Sequence, residues 1–370
     1  MKKVIIVSNT SWSLFNFRLR LARHLQLNGY AVVLIAPYDE YSDTLCEEFE
    51  YHNINLDNKG TNPKEDIKTV VGFYKLYKKI KPDIVLHFTI KPNIYGTIAC
   101  SLLGIKSINN IAGLGTLFIK QNFITKIAMY LYKYSQRKAD KIFFQNKDDF
   151  DMFTSEGLVD KVKSDILPGS GVDINRFIPI ESKRKDSTFR FLLIARMLWD
   201  KGVGEYVEAA KIIKDKYSNV EFQLLGFLDV ENNSAISKIQ MQEWVDSGNI
   251  VYLGVSDNVK KEICQADCIV LPSFYREGTP RILLESASME KPLITTDNVG
   301  CRDVVDDGIN GFLCQVRSGK DLARKMEAMI SLSKSEIKTM GRKGRSKMIV
   351  EFDEKIVIDK YLSSILKALS

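Results

Sequence analysis

The chain has 370 residues, 45% of them hydrophobic and 27% charged, with a formal net charge of +7. This length exceeds one ordinary core and suits two domains, and the composition excludes a disordered, fibrous or collagen-like chain. The six cysteines are scattered, with Cys264 and Cys268 the close pair; they fit neither a disulfide framework nor a zinc site and read as buried free thiols in a reducing compartment.

At the N-terminus, "MKKVIIVSNTSW" carries two lysines but just four apolar residues before Ser8, which predicts a first strand and not a signal peptide. No apolar stretch approaches the ~20 residues of a spanning helix. These features point to the cytoplasm or to the periphery of a membrane. In the first half, strands are expected at Val4–Ser8, Ala31–Ala36, Ile84–Phe88, Ser107–Ile111 and Lys141–Gln145. Helical patterns fall between them, as at Phe17–Asn28 and Pro63–Ile80. Such alternation predicts an α/β fold, with parallel strands and crossover helices on both faces of the sheet.

Polar residues follow the first strand in "SNTSWSLFNFRLRLARHL". Ser8, Asn9, Thr10, Asn16 and Arg18 are candidate ligand contacts there, and each equally suits a cap or a turn. Beyond Ile84–Phe88, "HFTIKPNIYG" places His87, Thr89 and Lys91 near a strand end. His87, inside an apolar strand, reads as a satisfied core residue before a catalytic base. In "NNIAGLGTLF", Gly113 and Gly115 allow close backbone approach, but the third glycine of a dinucleotide fingerprint is missing. Lys120 to Ala139 contains no acidic residue; Lys120, Lys126, Lys133, Arg137 and Lys138 are interleaved with Phe123, Ile127, Tyr130, Leu131 and Tyr134 at helical spacing. A basic amphipathic helix of this kind suits an anionic membrane surface or a core-packed position with a solvated basic face. Nucleic acid fits less well, because no recognition motif accompanies the charge. Asp149 and Asp151, in "NKDDFDMF", form the one Asp-x-Asp candidate for a metal-dependent transferase and read instead as first-turn helix acids.

The pattern breaks at "LPGSGVDINRFIP", where glycines and prolines mark a joint near residue 172. A second βα series then starts, with strands expected at Phe191–Ala195, Glu221–Leu225, Ile250–Leu253, Cys268–Leu271 and Pro292–Thr295, and a last helix over Glu354–Leu369. The expected domains are 1–171, 172–352 and a terminal helix, 353–370. Ligands of doubly wound sheets sit beyond the carboxyl ends of the strands, so the residues just after each strand carry most weight. "ARMLWDKGV" puts Arg196 and Lys201 there, a planar fork and a point charge able to bracket a pyrophosphate. "PSFYREGTPRILLE" puts Glu277 and Gly278 on a loop, with Thr279 as the expected N-cap and Pro280 as the first helical residue. Glu285 then falls inside the helix, beyond its first turn. That placement argues against a glycosidase pair straddling one bond and favours separate jobs for the two carboxylates.

These elements together resemble the retaining glycosyltransferases of family 4. Glu277, inside "LPSFYREG", and Glu285 have seven residues between them, and "ARMLWDKG" lies about 80 residues upstream; "SGVDINRF", "YLGVSDNV" and "GINGFL" occur in the family's order. The resemblance covers nearly the whole chain. It implies the GT-B fold, two Rossmann-like domains with the last helix crossing back to the first. The cations matching Arg196 and Lys201 would hold the donor diphosphate, Glu277 the sugar hydroxyls and Glu285 the ribose. The backbone around Gly278, Thr279 and Pro280, with Asn9 and Thr10, would approach the donor. Lys91, Gly113, Gly115 and Arg18 would face the acceptor. The sequence departs from the family in having no histidine in the 109–118 loop, and in having Gly300 and Asp303 where relatives carry Gly-Gly and a glutamate.

The implied function is metal-independent transfer of a sugar from a nucleotide donor, UDP-linked, with no further cofactor. The acceptor would be a saccharide on polyprenyl diphosphate, in the assembly of bacterial O-antigen or capsule on the cytoplasmic face of the inner membrane. A lipid-borne acceptor gives the basic helix at 120–139 a purpose on the membrane. The competing readings are a nucleotide-sugar 2-epimerase, which needs no acceptor, and a non-catalytic nucleotide-sugar-binding scaffold.

Overall fold

The protein, described by a computed structural model, is covered over residues 1–56, 63–113, 123–228 and 230–370. It divides into two compact units, Met1–Ser170 with Lys355–Ser370, and Gly171–Glu354.

In the first unit the strands are β1 (Lys3–Val7), β2 (Ala31–Ala36), β3 (Glu50–Asn53), β4 (Ile84–Phe88), β5 (Lys106–Ile111), β6 (Lys141–Phe144) and β7 (Ser164–Ile166). They form a parallel sheet in the order β3-β2-β1-β4-β5-β6-β7. Helices α1 (Ser11–Phe17), α2 (Leu19–Leu27), α3 (Ser42–Cys46), α4 (Pro63–Ile80), α5 (Thr97–Leu103), α6 (Phe123–Gln136) and α7 (Lys147–Ser155) fall between the strands. Central strands such as "KVIIV" and "AVVLIA" are near-continuous apolar runs because helices cover both faces of the sheet. The order reverses between β1 and β4, so the loops after those strands flank the switch point where such sheets take ligands.

In the second unit, β8 (Phe189–Ile194), β9 (Val220–Leu225), β10 (Val251–Tyr252), β11 (Cys268–Leu271), β12 (Leu293–Thr296) and β13 (Gly311–Cys314) form a parallel sheet ordered β10-β9-β8-β11-β12-β13. Helices α8 (Val203–Lys214), α9 (Lys238–Asp246), α10 (Val259–Gln265), α11 (Arg281–Ser288), α12 (Gly319–Ile330) and α13 (Lys334–Glu351) accompany it. Its switch point lies between β8 and β11. The last helix, α14 (Glu354–Leu369), packs into the first unit's core through Val357, Ile358, Tyr361 and Ile365.

Several local expectations are corrected. The helix expected over 17–28 is present as α2 but begins only at Leu19, and a separate helix, α1, precedes it; Arg18 between them leaves helical backbone (φ −127°, ψ −8°) and lays its guanidinium 4.0 Å over the Phe88 ring. The start of α11 also shifts: Pro280, not Thr279, is the N-cap, with ψ 115° and no side-chain cap bond. Proline fixes its own φ and pushes the residue before it toward extended backbone, so Thr279 sits one place too early to cap. Of the cysteines, all free, Cys46 is exposed at the end of the short α3 and the other five are buried as expected. Among the described residues no helix is long and apolar enough to cross a membrane.

Candidate functional site

The richest cluster lies at the switch point of the second sheet. After β8 the chain passes Arg196, which is exposed, into a 3-10 turn, Trp199–Lys201, and then Gly202 at φ 76° opens α8. A Cβ on Gly202 would lie 2.1 Å from the Pro272 carbonyl, so a glycine is needed for the two strand-end loops to touch. After β11, the backbone N–H groups of Phe274 and Tyr275 donate to the Asp200 carbonyl, each at 3.0 Å. Asn298, beyond β12, donates to the Tyr275 carbonyl at 3.0 Å, and the Thr296 hydroxyl donates to the Ser273 carbonyl. The 272–280 loop is therefore fixed from both neighbouring strands.

That framework brings Lys201 and Glu277 into an ion pair with both side chains largely buried. The Ser273 hydroxyl donates to the same Glu277 oxygen at 3.0 Å, and the Lys201 ammonium lies 5.1 Å from the Tyr275 ring centroid. Gly278, Thr279 and Pro280 are buried, leading into α11. Gly300, at φ 77°, presses against them: a Cβ there would lie 2.0 Å from the Gly278 carbonyl and 2.8 Å from that of Glu277.

Glu285 is the fifth residue of α11, and Arg281, one turn earlier, donates from Nε to its Oε1 at 2.7 Å. Burial raises the Glu285 carboxyl above its ordinary range; Arg281, and more weakly Arg176, pull it back down. Each glutamate thus has its own cation, Lys201 for one and Arg281 for the other.

In the first unit the candidates scatter over several duties. Thr10 caps α1, its hydroxyl accepting from the Ser13 N–H at 3.1 Å. Asn9 is half-buried in the loop before it. Arg18 is 6% exposed and packs on Phe88. Lys91 pairs with Asp66 at 2.9 Å. Gly113 adopts φ 86°, whereas Gly115 and Lys120, with the side chain of Lys126, lie outside the described residues. Asp149 is a first-turn residue of α7, its N–H donating to the Asn146 cap at 2.7 Å.

His87 is fully buried, with Tyr77 Oη at 3.0 Å from Nε2 and Asn109 Oδ1 at 2.9 Å from Nδ1. These partners fit a neutral ring that accepts at Nε2 and donates at Nδ1, and burial lowers its pKa to about 4. Thr89 follows at φ 74°, a costly conformation for a β-branched residue, with its hydroxyl buried and unpartnered. A π-helical turn, Pro92–Gly96, comes next. Helix α6 packs Tyr132, Ser135 and Gln136 inward and exposes Ile127, Tyr130 and Tyr134.

Sequence reasoning did not single out Ser273 or Arg281, and it saw Gly300 only as a departure from a pattern. Arg281 stands four residues before Glu285, a spacing at which helix side chains meet, and that signal was available. Ser273 and Gly300 acquire their partners through loop packing, for which the sequence carries no local sign.

Two family models match the chain: one described as Glycosyl transferases group 1 over residues 175–347, and one described as Glycosyl transferase 4-like over residues 3–146. The N,N'-diacetylbacillosaminyl-diphospho-undecaprenol alpha-1,3-N-acetylgalactosaminyltransferase of Campylobacter jejuni is 27% identical over 382 residues, with 97% of each chain covered. The UDP-Gal:alpha-D-GlcNAc-diphosphoundecaprenol alpha-1,3-galactosyltransferase of Escherichia coli is 24% identical, over 80% of this chain and 78% of its own. Among solved structures, a glycosyltransferase from Rickettsia africae superposes with a TM-score of 0.83 at 18% identity, covering 100% of this chain and 99% of its own. Anabaena HepE in complex with UDP gives a TM-score of 0.78 at 15% identity, covering all of both chains.

Proposed function

We propose that this chain, which belongs to the glycosyltransferases of the group 1 and 4-like families, moves a sugar with retention of configuration from a UDP-linked donor to a saccharide carried on polyprenyl diphosphate. The observation that carries the donor half is the convergence of Lys201 and Glu277 from the loops after β8 and β11, at the switch point of the second sheet, with Glu285 on the helix that follows.

In this reading Arg196 and Lys201 meet the donor diphosphate. When the bond from the sugar to the diphosphate breaks, negative charge grows on the departing phosphate, and fixed cations stabilise it without a metal ion. Glu277, held by Ser273 and Lys201, accepts from the sugar hydroxyls. Glu285 accepts from the ribose. Gly278, Thr279 and the first-turn N–H groups of α11, which has no side-chain cap, face the sugar and phosphate, whereas Pro280 has no N–H to offer. The acceptor hydroxyl attacks on the face the diphosphate leaves and passes its proton to the departing phosphate oxygen, which retains configuration and needs no enzyme nucleophile.

The acceptor falls to the first unit. Gly113 would line its path directly; Arg18 and Lys91 hold the loops around it through their contacts with Phe88 and Asp66. The exposed Ile127, Tyr130 and Tyr134 of α6, beside Arg137 and Lys138, suit an anionic membrane surface that carries a lipid-linked acceptor. The Campylobacter and Escherichia relatives bear names that specify undecaprenyl-diphosphate-linked sugars, which supports an acceptor of this class; a lipid-borne acceptor would hold the protein at the periphery of the inner membrane's cytoplasmic face.

The test is a panel of nucleotide sugars incubated with the protein and membrane lipid extract, with mass spectrometry of the lipid product. Glu277→Ala and Glu285→Ala should each abolish transfer; full activity in both variants would sink the assignment. Sugar isomerised in the absence of lipid would indicate an epimerase, and donor binding without turnover a scaffold.

A further inference from the structure

Glu285 and Arg281 sit on a helix whose neighbouring side chains, Leu283, Leu284 and Ala287, are completely buried. The two charged side chains are 14% and 19% exposed. Withdrawing such a pair from water is costly, and apolar residues of similar size would commonly pack there at no loss of stability. A charged pair here therefore needs a reason other than packing.

The geometry supplies one. Arg281 Nε donates to one oxygen of Glu285 from a single turn away. A carboxylate offers about four lone-pair directions, so one donor fixes its orientation and leaves acceptor capacity for a vicinal diol. The other charged group facing the carboxylate is Arg176, from the loop after the joint. We propose that Arg281 is a positioning residue: it keeps the buried Glu285 ionised and aimed so that it can receive the two ribose hydroxyls of the donor. The proposal rests on the reading of Glu285 as the ribose acceptor.

Burial alone raises the Glu285 carboxyl, and Arg281 is the largest force opposing that rise. Without Arg281, burial is opposed less strongly, so Glu285 takes up a proton more readily as the pH falls and becomes a poor acceptor for hydroxyls. The experiment measures binding of UDP and of GDP by calorimetry at pH 8 and pH 6 for the wild type, R281Q, R281K, E285Q and the R281Q/E285Q double variant. The nucleotide phosphate titrates alike in every protein, so the ratio of variant to wild-type Kd is the informative quantity. For R281Q this ratio should be larger at pH 6 than at pH 8, because the neutral carboxyl gains ground as the pH falls. R281K restores a cation without the fork, and should flatten the pH dependence while recovering part of the affinity. In the E285Q background R281Q should add nothing.

A loss in R281Q that is equal at both pH values and accompanied by a lower Tm marks a structural role and overturns the proposal. A loss that persists in the E285Q background also overturns it, because Arg281 would then touch the ligand itself. In either case a wild type that binds nucleotide leaves the glycosyltransferase reading standing. A wild type that binds neither UDP nor GDP takes down both.

Discussion

Lys201 and Glu277 come from loops 76 positions apart in sequence and end as one ion pair beside Tyr275. If Lys201 stabilises the departing diphosphate, Lys201→Ala should lower kcat by about 10²–10³, the usual cost of removing one fixed transition-state contact. Single-turnover measurements would separate this from a binding defect, and a change confined to KM would exclude the role. His87 gives a prediction of the opposite kind, on stability alone. Its ordinary pKa is 6.5 and burial lowers it to about 4, so the unfolded chain binds the proton more readily than the folded one. The stabilising contribution is complete above pH 6.5 and is lost as pH falls toward 4, amounting to about 3 kcal/mol at full loss. Urea denaturation at pH 7.5 and 4.5 should show a wild-type loss that His87→Gln lacks. Equal pH dependence in the two proteins would mean that His87 does not titrate as its surroundings dictate. At this scale the sequence shows which residue types follow which strands. It does not show which side chains turn inward, and so Lys91 reads as a cation facing an anion until Asp66 is seen 2.9 Å away.

Among the elements, the fit between loops matters more than any helix or strand alone. Gly300 has a positive φ and no room for a Cβ against the Gly278 carbonyl, whereas Gly308 has a similar φ of 74° with open space around it. Gly300→Ala should therefore cost about 1–3 kcal/mol and weaken donor binding at least about tenfold by displacing the 277–278 turn. Gly308→Ala should cost roughly 1 kcal/mol and leave binding unchanged. Parallel thermal melts and nucleotide titrations would check the pair, and equal binding in both variants would remove the 277–278 turn from the donor site. Largely apolar interior strands, such as Ala31–Ala36, Ile84–Phe88 and Cys268–Leu271, were legible to the residue. The strands Glu50–Asn53, Ser164–Ile166 and Gly311–Cys314 were not, because sheet-edge positions tolerate the polar and glycine residues that hide their period. The break at Arg18 was equally hidden, since the ring that draws the guanidinium inward lies 70 positions away.

For the molecule as a whole, the restart of the βα pattern after the joint reveals two units, but no local period says where the last helix goes. The family resemblance alone implied that it returns to the first unit, and there it fills part of the core. Tyr361 lies 5.0 Å from the Phe143 ring and 5.8 Å from Phe88, and its hydroxyl accepts from Asn110 Nδ2 at 2.9 Å. Val357, Ile358 and Ile365 are buried beside it. At about 1.5–3 kcal/mol each, those three aliphatic side chains contribute roughly 5–9 kcal/mol, an upper estimate comparable with the ~5–15 kcal/mol that holds a typical domain together. A chain stopped after Glu354 should therefore lose the first unit and keep the second, whose core lies within Gly171–Glu354. Limited proteolysis with mass spectrometry should show rapid cleavage before Ser170 and a resistant fragment after it. Equal resistance of both halves would show that the helix is dispensable to the core. Tyr361→Phe serves as the milder control: it keeps the ring and removes the hydroxyl, leaving the buried Asn110 amide short of a partner at a cost of about 1–3 kcal/mol. The first unit should then melt earlier but remain folded. A full collapse in that variant would place the helix's contribution in its polar contact, and a collapse seen only on truncation places it in the apolar side chains.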